Sequence, residues 1–325
     1  MKQYLKRILP LAGAILLSNN VSAFEEIYIF GDSLSDTGNA KVFSGNASNP
    51  AFPSRFSNGP VAVDVLTGAF ALTATPSLFL LGQELGNNYA VGGAIAIDAD
   101  GNESTPDTNL PTQINAYLKN HGFQSDPEAL HVLVIGGNDL FAAQRIRAGS
   151  VSEDSGKTRQ VIRKASEARV TQAVEAIKAQ LEKLIGTGAQ HILVGNAPDI
   201  SAVPATDGTV AGLLAASNDK HETKRAKAMY KYSAKLSAQF NRELAAVVAE
   251  LETAYGLDIV EWDLSAFLSD QIDDAALLGY TNTEDACQAD GQLPLCTGYV
   301  FVDGVHPTTA VHQRAGANLL QLLAQ

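Results

Sequence analysis

The stretch IYIFGDSLSDTGN (residues 27–39) decides how the rest of the chain is interpreted. Its first four residues are apolar and β-forming, which predicts a buried strand. The glycine, aspartate and serine that follow are typical of a loop that ends the strand abruptly. In an α/β protein, ligands bind at the edge of the sheet formed by the carboxyl ends of its strands. Ser33 is therefore either a turn residue or a nucleophile at that edge.

Other apolar runs resemble this first strand. They predict four further buried strands, at 88–91, 131–136, 191–196 and 257–262. Apolar residues also recur at helical spacing in three long segments, at 157–185, 218–255 and 308–324. Strands that alternate with helices predict an α/β fold, with a parallel sheet covered by helices on both faces. Two stretches show neither pattern and are interpreted as long loops, either functional or mobile, at 40–80 and 265–300.

The first 23 residues have the pattern of a secretory signal peptide. A basic start is followed by ten apolar residues and a polar stretch ending in small residues, which favours cleavage after Ala23. The apolar run is too short to span a membrane, and no later stretch predicts a transmembrane segment. We therefore expect residues 24–325 to form a single exported domain, extracellular or periplasmic, because no linker or repeat divides them.

The chain is acidic. Its formal net charge is −12, and it becomes −15 without the leader, which carries three basic residues and no acidic ones. Such a charge argues against nucleic acid as a partner and against electrostatic attraction to an anionic membrane. Nothing in the composition indicates an oligomeric state.

Cys287 and Cys296 are the only cysteines. An even number fits a disulfide in an oxidising compartment. The bond would close a short loop, and on the chain-entropy account it contributes only about 2–3 kcal/mol. Its role would then be to shape the loop. A zinc site is the alternative, but two cysteines lack the further ligands that a structural zinc needs.

Four short segments together offer the groups of an acyl-transfer site. They are FGDSLSDTGN (30–39), NYAVGGA (88–94), IGGND (135–139) and DGVHP (303–307). A serine hydroxyl becomes a nucleophile when a histidine accepts its proton. The histidine in turn needs a carboxylate that fixes its tautomer, and the oxyanion needs preorganised donors. All of these groups are present, at predicted strand ends or in a terminal loop.

Each segment taken alone also has a purely structural interpretation. GDSL and GGND are common in turns, His306 suits a helix cap, and Asp303 suits a loop. Asp32 is expected to support the turn after the first strand by hydrogen bonding the backbone of that turn, and not to act as an acid. The joint occurrence of all four segments, in order, favours catalysis over these alternatives.

The remaining histidines are poorer candidates for the base. His131 and His191 open predicted strands and are expected to be structural. His121 and His221 lie in polar surroundings and are expected to face solvent. His312 lies six residues beyond His306, nearly opposite in helical phase, so it is a poor substitute.

These segments resemble the GDSL family of lipases and esterases, also called SGNH hydrolases, over most of the chain. The resemblance implies a three-layer α/β/α sandwich like that of flavodoxin, with no cofactor and no metal. It implies that Ser33 is the nucleophile, His306 the base and Asp303 the partner of the base. It further implies an oxyanion hole made by three donors, the backbone amides of Ser33 and Gly93 and the side chain of Asn138. Gly92 is the alternative to Gly93.

The resemblance also implies the substrate, an ester of a lipid or small molecule. Phospholipase or lysophospholipase A activity is the preferred interpretation, with acyl transfer to an alcohol as an extension. A carboxylesterase and a carbohydrate deacetylase are the enzyme alternatives, and an exported binding module on an inactive scaffold is the non-enzyme alternative. A disulfide between Cys287 and Cys296 would either gate the site or only staple a surface loop.

Overall fold

A computed structural model describes residues 24–44, 54–83, 85–98 and 107–325 of the chain. The predicted signal peptide, residues 1–23, lies outside the described residues. No helix in the described ranges combines the length and the hydropathy that a membrane span requires.

The main sheet follows the apolar runs of the sequence. Its strands are β1 (Ile27–Gly31), β2 (Leu130–Val134), β3 (His191–Gly195) and β4 (Ile259–Trp262). They are all parallel and lie in the order β1-β2-β3-β4. Both faces of β1 and β2 are buried, which explains why these strands are mostly apolar instead of alternating.

The predicted strand at 88–91 lies beside β1 but pairs with it only through one bridge, between Asn88 and Ile29. Two backbone hydrogen bonds extend this pairing, from Tyr89 to Ile29 and from Val91 to Gly31. With this segment counted, the spatial order in terms of chain position is 2-1-3-4-5, which is the order of flavodoxin-like sheets.

Helices cover both faces of the sheet. Those of the first half are α1 (Asn39–Ser44), α2 (Ala62–Ala69), α3 (Leu110–Asn120), α4 (Gly137–Ala148) and α5 (Gly156–Gly186). Those of the second half are α6 (Pro204–Ala215), α7 (Lys220–Lys227), α8 (Met229–Tyr255), α9 (Leu264–Asp273), α10 (Ala275–Leu278) and α11 (Thr309–Leu323). Short 3₁₀ turns lie at Phe79–Leu81 and Ile200–Ala202.

Alternate residues of β1 separate the two cores. Tyr28 and Phe30 pack in one apolar cluster with residues of α3, α5 and α8. Ile27 and Ile29 point to the opposite face, where the cluster includes Leu66 of α2 and residues of α9 and α11. Because helices cover both faces of the sheet, the molecule has three layers, and the predicted α/β/α sandwich is confirmed.

The two stretches interpreted as long loops contain regular structure, so that interpretation was wrong. The first contains α2, and the second contains most of α9, all of α10 and a parallel pair, β5 (Asn282–Ala286) and β6 (Tyr299–Phe301). Helix α2 has weak local signals because valine and glycine favour helix poorly. It is held instead by close packing on α11, since a Cβ at Gly316 would collide with Val65.

The helix predicted at 218–255 is divided at Ala228 into α7 and α8. No glycine or proline marks this break. Met229 and Ala226 are both buried in a small cluster with Val151 and Val210, outside the main core. Tertiary packing therefore ends α7, and a local pattern does not reveal such a break.

Candidate active site

Ser33 and His306, 273 residues apart in sequence, are in direct contact. Nε2 of His306 lies 2.7 Å from Oγ of Ser33, and Nδ1 lies 2.6 Å from Oδ2 of Asp303. Both distances are within hydrogen-bond range. The three side chains thus form a continuous Ser–His–Asp chain of hydrogen bonds, in which the hydroxyl proton is able to move to the imidazole.

Asp303 is held by its own loop. Its Oδ1 accepts hydrogen bonds from the backbone N–H of Val305 (2.9 Å) and of His306 (2.8 Å), so its other oxygen is directed at the imidazole. Burial acts to raise the pKa of Asp303, but the hydrogen bond from His306 and the backbone donors outweigh it and lower the pKa. The carboxylate is therefore ionised when the imidazole needs a negative partner.

Ser33 lies directly after β1 in a tight turn. The side chain of Asp32 accepts a hydrogen bond from the Leu34 N–H (3.0 Å), and its carbonyl accepts from Ser35 and Asp36. The expected supporting role of Asp32 is thereby confirmed, and burial raises its pKa to about 6. Among the described residues no acceptor binds the Ser33 N–H, so this amide is available to an oxyanion.

The two glycines at 92–93 differ in their contacts. The Gly92 N–H donates to Oδ2 of Asp36 (2.8 Å), and a Cβ at Gly92 would collide with the ring of Phe56. Gly93 has φ +85°, with open space on its side-chain side, and within the described part of the chain no acceptor binds its N–H. The geometry therefore favours Gly93 over Gly92 as a donor.

Asn138 lies in the first turn of α4, whose start is bent by Gly136 at φ +129°. Its side-chain Nδ2 donates to the carbonyl of Ala94 (2.9 Å), which ties the start of α4 to the loop that carries Gly93. An amide nitrogen carries two protons, so the second remains available to a ligand. The structure places Asn138 together with Ser33 and His306 around one cavity.

Sequence reasoning missed a network that fixes the two loops of the site to each other. Asp36 accepts from the backbone N–H groups of Gly38, Asn39 and Gly92. The amide of Asn39 donates to the carbonyls of Asn88 (2.8 Å) and Ala90 (2.9 Å). The DTGN part of the opening stretch therefore positions residues 88–93. A strand end followed by several Asp and Asn residues was the only local signal.

A second missed contact holds α4. Asp139, whose side chain is fully buried, accepts from the Ala96 N–H (2.9 Å) and pairs with Arg169 (2.7 Å). The pair links α4 and α5 to the loop after residue 94. Asp139 is thus a structural neighbour of Asn138 and has no contact with Ser33 or His306.

Cys287 and Cys296 form the predicted disulfide. Asn58 connects their loop to the site, because its Nδ2 donates to the carbonyls of Pro294 (3.1 Å) and Leu295 (3.3 Å). Two residues earlier, Phe56 packs on the imidazole of His306 with 5.2 Å between ring centroids. The disulfide loop therefore adjoins the site through residues 56–58.

An apolar cavity opens at Ser33 and continues beneath it, between the sheet and the helices α9 and α11. Its empty volume is about 860 Å³, including the part open to solvent. The lining beyond the hydrophilic mouth is mostly aliphatic and aromatic, and includes Trp262, Leu264, Phe267, Ala315 and Leu319. Ligand pockets of proteins are typically lined in this way. Among the described residues, no cluster of His, Cys, Asp and Glu is grouped as around a metal ion.

The other histidines lie outside the Ser–His–Asp chain. His131 is buried and bonded to the Tyr117 hydroxyl (2.8 Å), as expected of a structural residue, and His221 is exposed. The expectation for His121 was wrong. This side chain is partly buried and bonded to the Tyr28 hydroxyl (3.0 Å), because α3 packs against β1.

His312 lines the same cavity as His306, but its Nδ1 accepts the Ala62 N–H at 3.2 Å and so holds α11 to α2. Burial, reinforced by the nearby His306, lowers the pKa of His312 to about 3. Below about pH 6.5 the unfolded chain therefore binds a proton that the native state excludes, and stability falls as the pH falls.

Lowering the pH from 7 to 5 should reduce the free energy of unfolding of both proteins. We expect this loss to be about 2 kcal/mol smaller for His312→Gln than for the wild type. Glutamine retains an acceptor for the Ala62 N–H but does not titrate. The measurement is urea denaturation of both proteins at the two pH values. Equal losses would show that His312 does not contribute to the acid sensitivity.

A three-layer α/β/α fold with a Ser–His–Asp chain at the strand ends is typical of ester hydrolases. The sequence profile described as GDSL-like Lipase/Acylhydrolase matches residues 27–319. The chain therefore belongs to the GDSL-like lipase/acylhydrolase family. This membership confirms the resemblance stated from the sequence and supports the predicted class, hydrolases of carboxylic esters.

Named relatives differ in how much of their length the chain covers. Lipase 1 of Photorhabdus luminescens is 31% identical over 202 residues, which are 60% of this chain and 25% of that protein. The chain thus spans about a quarter of the length of this relative. Phosphatidylcholine-sterol acyltransferase of Aeromonas hydrophila is 25% identical over 369 residues, covering 96% of this chain and 94% of that protein. Esterase EstA of Pseudomonas aeruginosa is 24% identical, covering 92% and 48%.

Solved structures include similar chains. A catalytic mutant of the acetylxylan esterase Axe2 from Geobacillus stearothermophilus has a TM-score of 0.46 and 12% identity over 92% of this chain and 93% of that chain. A lipolytic G-D-S-L family protein from Veillonella parvula has a TM-score of 0.39 and 16% identity.

Proposed function

We propose that the protein is an exported serine hydrolase that cleaves lipid esters through an acyl-enzyme on Ser33. The observation that carries the proposal is the apolar cavity that begins at the Ser33 hydroxyl and is lined mostly by hydrocarbon. A cavity of this kind suits the acyl chain of a lipid and offers few polar partners to a sugar ring beyond its mouth.

The proposed reaction uses the contacts of the site. Oγ of Ser33 attacks the ester carbonyl and transfers its proton to Nε2 of His306, while Asp303 stabilises the positive imidazole. We propose that the N–H groups of Ser33 and Gly93 and the side chain of Asn138 bind the oxyanion. The alcohol leaves with the proton from His306. A water molecule, deprotonated by His306, then cleaves the acyl-enzyme and restores the Ser33 hydroxyl.

Asn138→Ala is expected to lower kcat by about a hundred- to thousandfold with little change in KM, because the donor acts mainly on the transition state. The measurement is steady-state hydrolysis of a soluble ester. Since the hydrogen bond to Ala94 is also lost, thermal unfolding of the variant must be recorded alongside. A change confined to KM would remove Asn138 from the oxyanion hole.

Chain-length dependence tests the lipid assignment. We expect rates on p-nitrophenyl esters to rise from acetyl to long acyl groups, and lysophosphatidylcholine to be cleaved faster than an acetylated sugar. Ala315 is buried in the cavity wall on α11, so Ala315→Leu should reduce long-chain rates about tenfold or more and spare acetyl esters.

Ala317→Leu is the matched control, because Ala317 lies on the exposed side of the same helix. It should leave the whole chain-length profile as in the wild type. A fast rate on acetylated sugar with slow rates on all lipids would support the deacetylase alternative instead. Failure of a fluorophosphonate probe to label the protein would support the binding-module alternative.

Two further parts of the proposal rest on separate observations. The Cys287–Cys296 disulfide supports export to an oxidising compartment, which agrees with the signal-peptide pattern of the sequence. Acyl transfer to an alcohol is supported by the similarity to phosphatidylcholine-sterol acyltransferase along nearly the full length of both chains. Adding an alcohol acceptor to the lipid assay and measuring the new ester tests the second part.

A further inference from the structure

Positive charge is concentrated in two segments of this acidic chain. Fourteen of its 23 Lys and Arg residues lie at 145–169 and 220–242, together with only four of its 35 Asp and Glu residues. These segments form the end of α4, the start of α5, helix α7 and the first half of α8. The local charge of this region is therefore positive, although the net charge of the whole protein is negative. A positive local potential attracts anions.

The basic side chains converge on one cleft, which we call the basic cleft. Its charged lining residues are Arg147, Arg159, Arg163, Lys224 and Arg225, joined by His221. Ser150, Gln160 and Tyr232 complete the lining, and none of the lining residues is Asp or Glu. The empty volume is about 830 Å³, including the part open to solvent, which exceeds what a single small ion requires.

Two guanidinium groups in the basic cleft hold buried donors without acceptors. Arg147 is only 7% exposed, its guanidinium lies over the Tyr232 ring at 3.8 Å, and its Nε has no partner among the described residues. Arg225 donates through Nε to the Val151 carbonyl (2.6 Å), whereas its buried Nη2 has no partner there. Unpaired buried donors of this kind are costly, and an anion bound beside the two guanidinium groups would offset that cost.

Several carboxylates on these elements accept hydrogen bonds from backbone N–H groups and do not line the basic cleft. Glu222 accepts from the backbone N–H of residue 218, and Asp219 caps the start of α7. Glu153 accepts from the backbone N–H of residue 155. In the described part of the chain, Glu167 forms an ion pair with a lining cation, at 3.8 Å from Arg163, and both side chains of that pair are about half exposed. The exposed Asp219 also interacts electrostatically with Arg225. These carboxylates offset only part of the positive charge of the basic cleft, which has five Lys and Arg side chains in its lining.

We propose that the basic cleft binds the phosphate group of a phosphorylated ligand. Planar guanidinium groups match the oxygens of phosphate in pairs, which favours this anion over chloride. Helix α4 runs from Asn138 in the active site to Arg147 in the basic cleft, a separation of about 14 Å along the helix. In one glycerophospholipid the ester and the phosphate are only a few bonds apart. The phosphate in the basic cleft therefore belongs to a second molecule, either a neighbouring lipid or a soluble compound.

Binding of inorganic phosphate is the direct test. The wild type should bind phosphate, measured by calorimetry in chloride buffer, and Arg147→Met should weaken the affinity at least about tenfold. Because Arg147 is buried, a second variant is needed, and Lys224→Gln removes an exposed charge of the same cleft. It should weaken binding severalfold. Lys227→Gln is the matched control, since this exposed lysine of α7 lies outside the cleft lining.

Absence of phosphate binding by the wild type, or an equal loss of affinity in Lys224→Gln and Lys227→Gln, would overturn the proposal.

Sedimentation with vesicles then distinguishes the source of the phosphate. The Lys224→Gln change is introduced into the Ser33→Ala variant, so that no lipid is hydrolysed. Binding to vesicles containing phosphatidylglycerol, weakened by Lys224→Gln, assigns the site to a lipid headgroup. Binding of free phosphate without vesicle binding assigns it to a soluble ligand. Neither readout depends on ester hydrolysis, so the proposal stands or falls separately from the proposed function.

Discussion

Replacing Ser33 by alanine is expected to abolish ester cleavage, with kcat reduced by about 10⁴- to 10⁶-fold. Within the described residues, the Ser33 hydroxyl is the nucleophile of the site that contacts an imidazole, at 2.7 Å from Nε2 of His306. Covalent catalysis cannot proceed without it, and the remaining rate would come from the oxyanion donors and substrate binding alone. The measurement is hydrolysis of a short p-nitrophenyl ester, together with labelling by a fluorophosphonate.

The fold should survive this change, because the Ser33 side chain contributes one hydrogen bond and its backbone turn is held by Asp32. Thermal unfolding of Ser33→Ala should therefore resemble that of the wild type. Ser35→Ala is the matched control, since Ser35 is buried in the same loop two residues away and does not contact His306. It should retain most of the activity. Hydrolysis by Ser33→Ala at a rate near that of the wild type would refute the assignment of the nucleophile.

The fold was predictable from local patterns wherever burial determines the order of apolar residues along an element. Strands β1 to β4 and the helices α5 and α11 lie within a few residues of their predicted bounds, because burial imposes a continuous apolar run or a helical period. Helix α2 and the break at Ala228 were not predictable. Both depend on contacts between distant segments, α11 for the first and the cluster around Met229 for the second.

The site was predictable to the extent that its chemistry demands particular residue types. A hydroxyl, an imidazole and a carboxylate have few substitutes in acyl transfer, so Ser33, His306 and Asp303 stand out once their segments are found at strand ends. The supporting groups are different. Asp36 and Asn39 position the loop of Gly93 from across the site, and any residue with a suitable acceptor or donor could serve there. Their function is visible only when the distance between the loops is known.

Asp303→Asn tests the hydrogen bond between the carboxylate of Asp303 and Nδ1 of His306. We expect kcat to fall by about 10⁴-fold with KM nearly unchanged. Asparagine is able to keep an oxygen for the backbone donors of Val305 and His306, so the loop should keep its shape. Its amide then faces Nδ1 of His306 and donates to it, which places the imidazole proton on Nε2. An imidazole in that tautomer cannot accept the proton of Ser33.

Asp290→Asn supplies the control for this charge change. Asp290 lies in the disulfide loop, accepts from the Tyr299 hydroxyl (2.9 Å) and is exposed, so its neutralisation should alter kcat no more than a few-fold. Steady-state kinetics and thermal unfolding of both variants give the comparison. If Asp303→Asn retained more than about a tenth of the wild-type kcat, the carboxylate would not be fixing the tautomer of His306. The short Asp303–His306 contact would then serve only to shape the loop before α11.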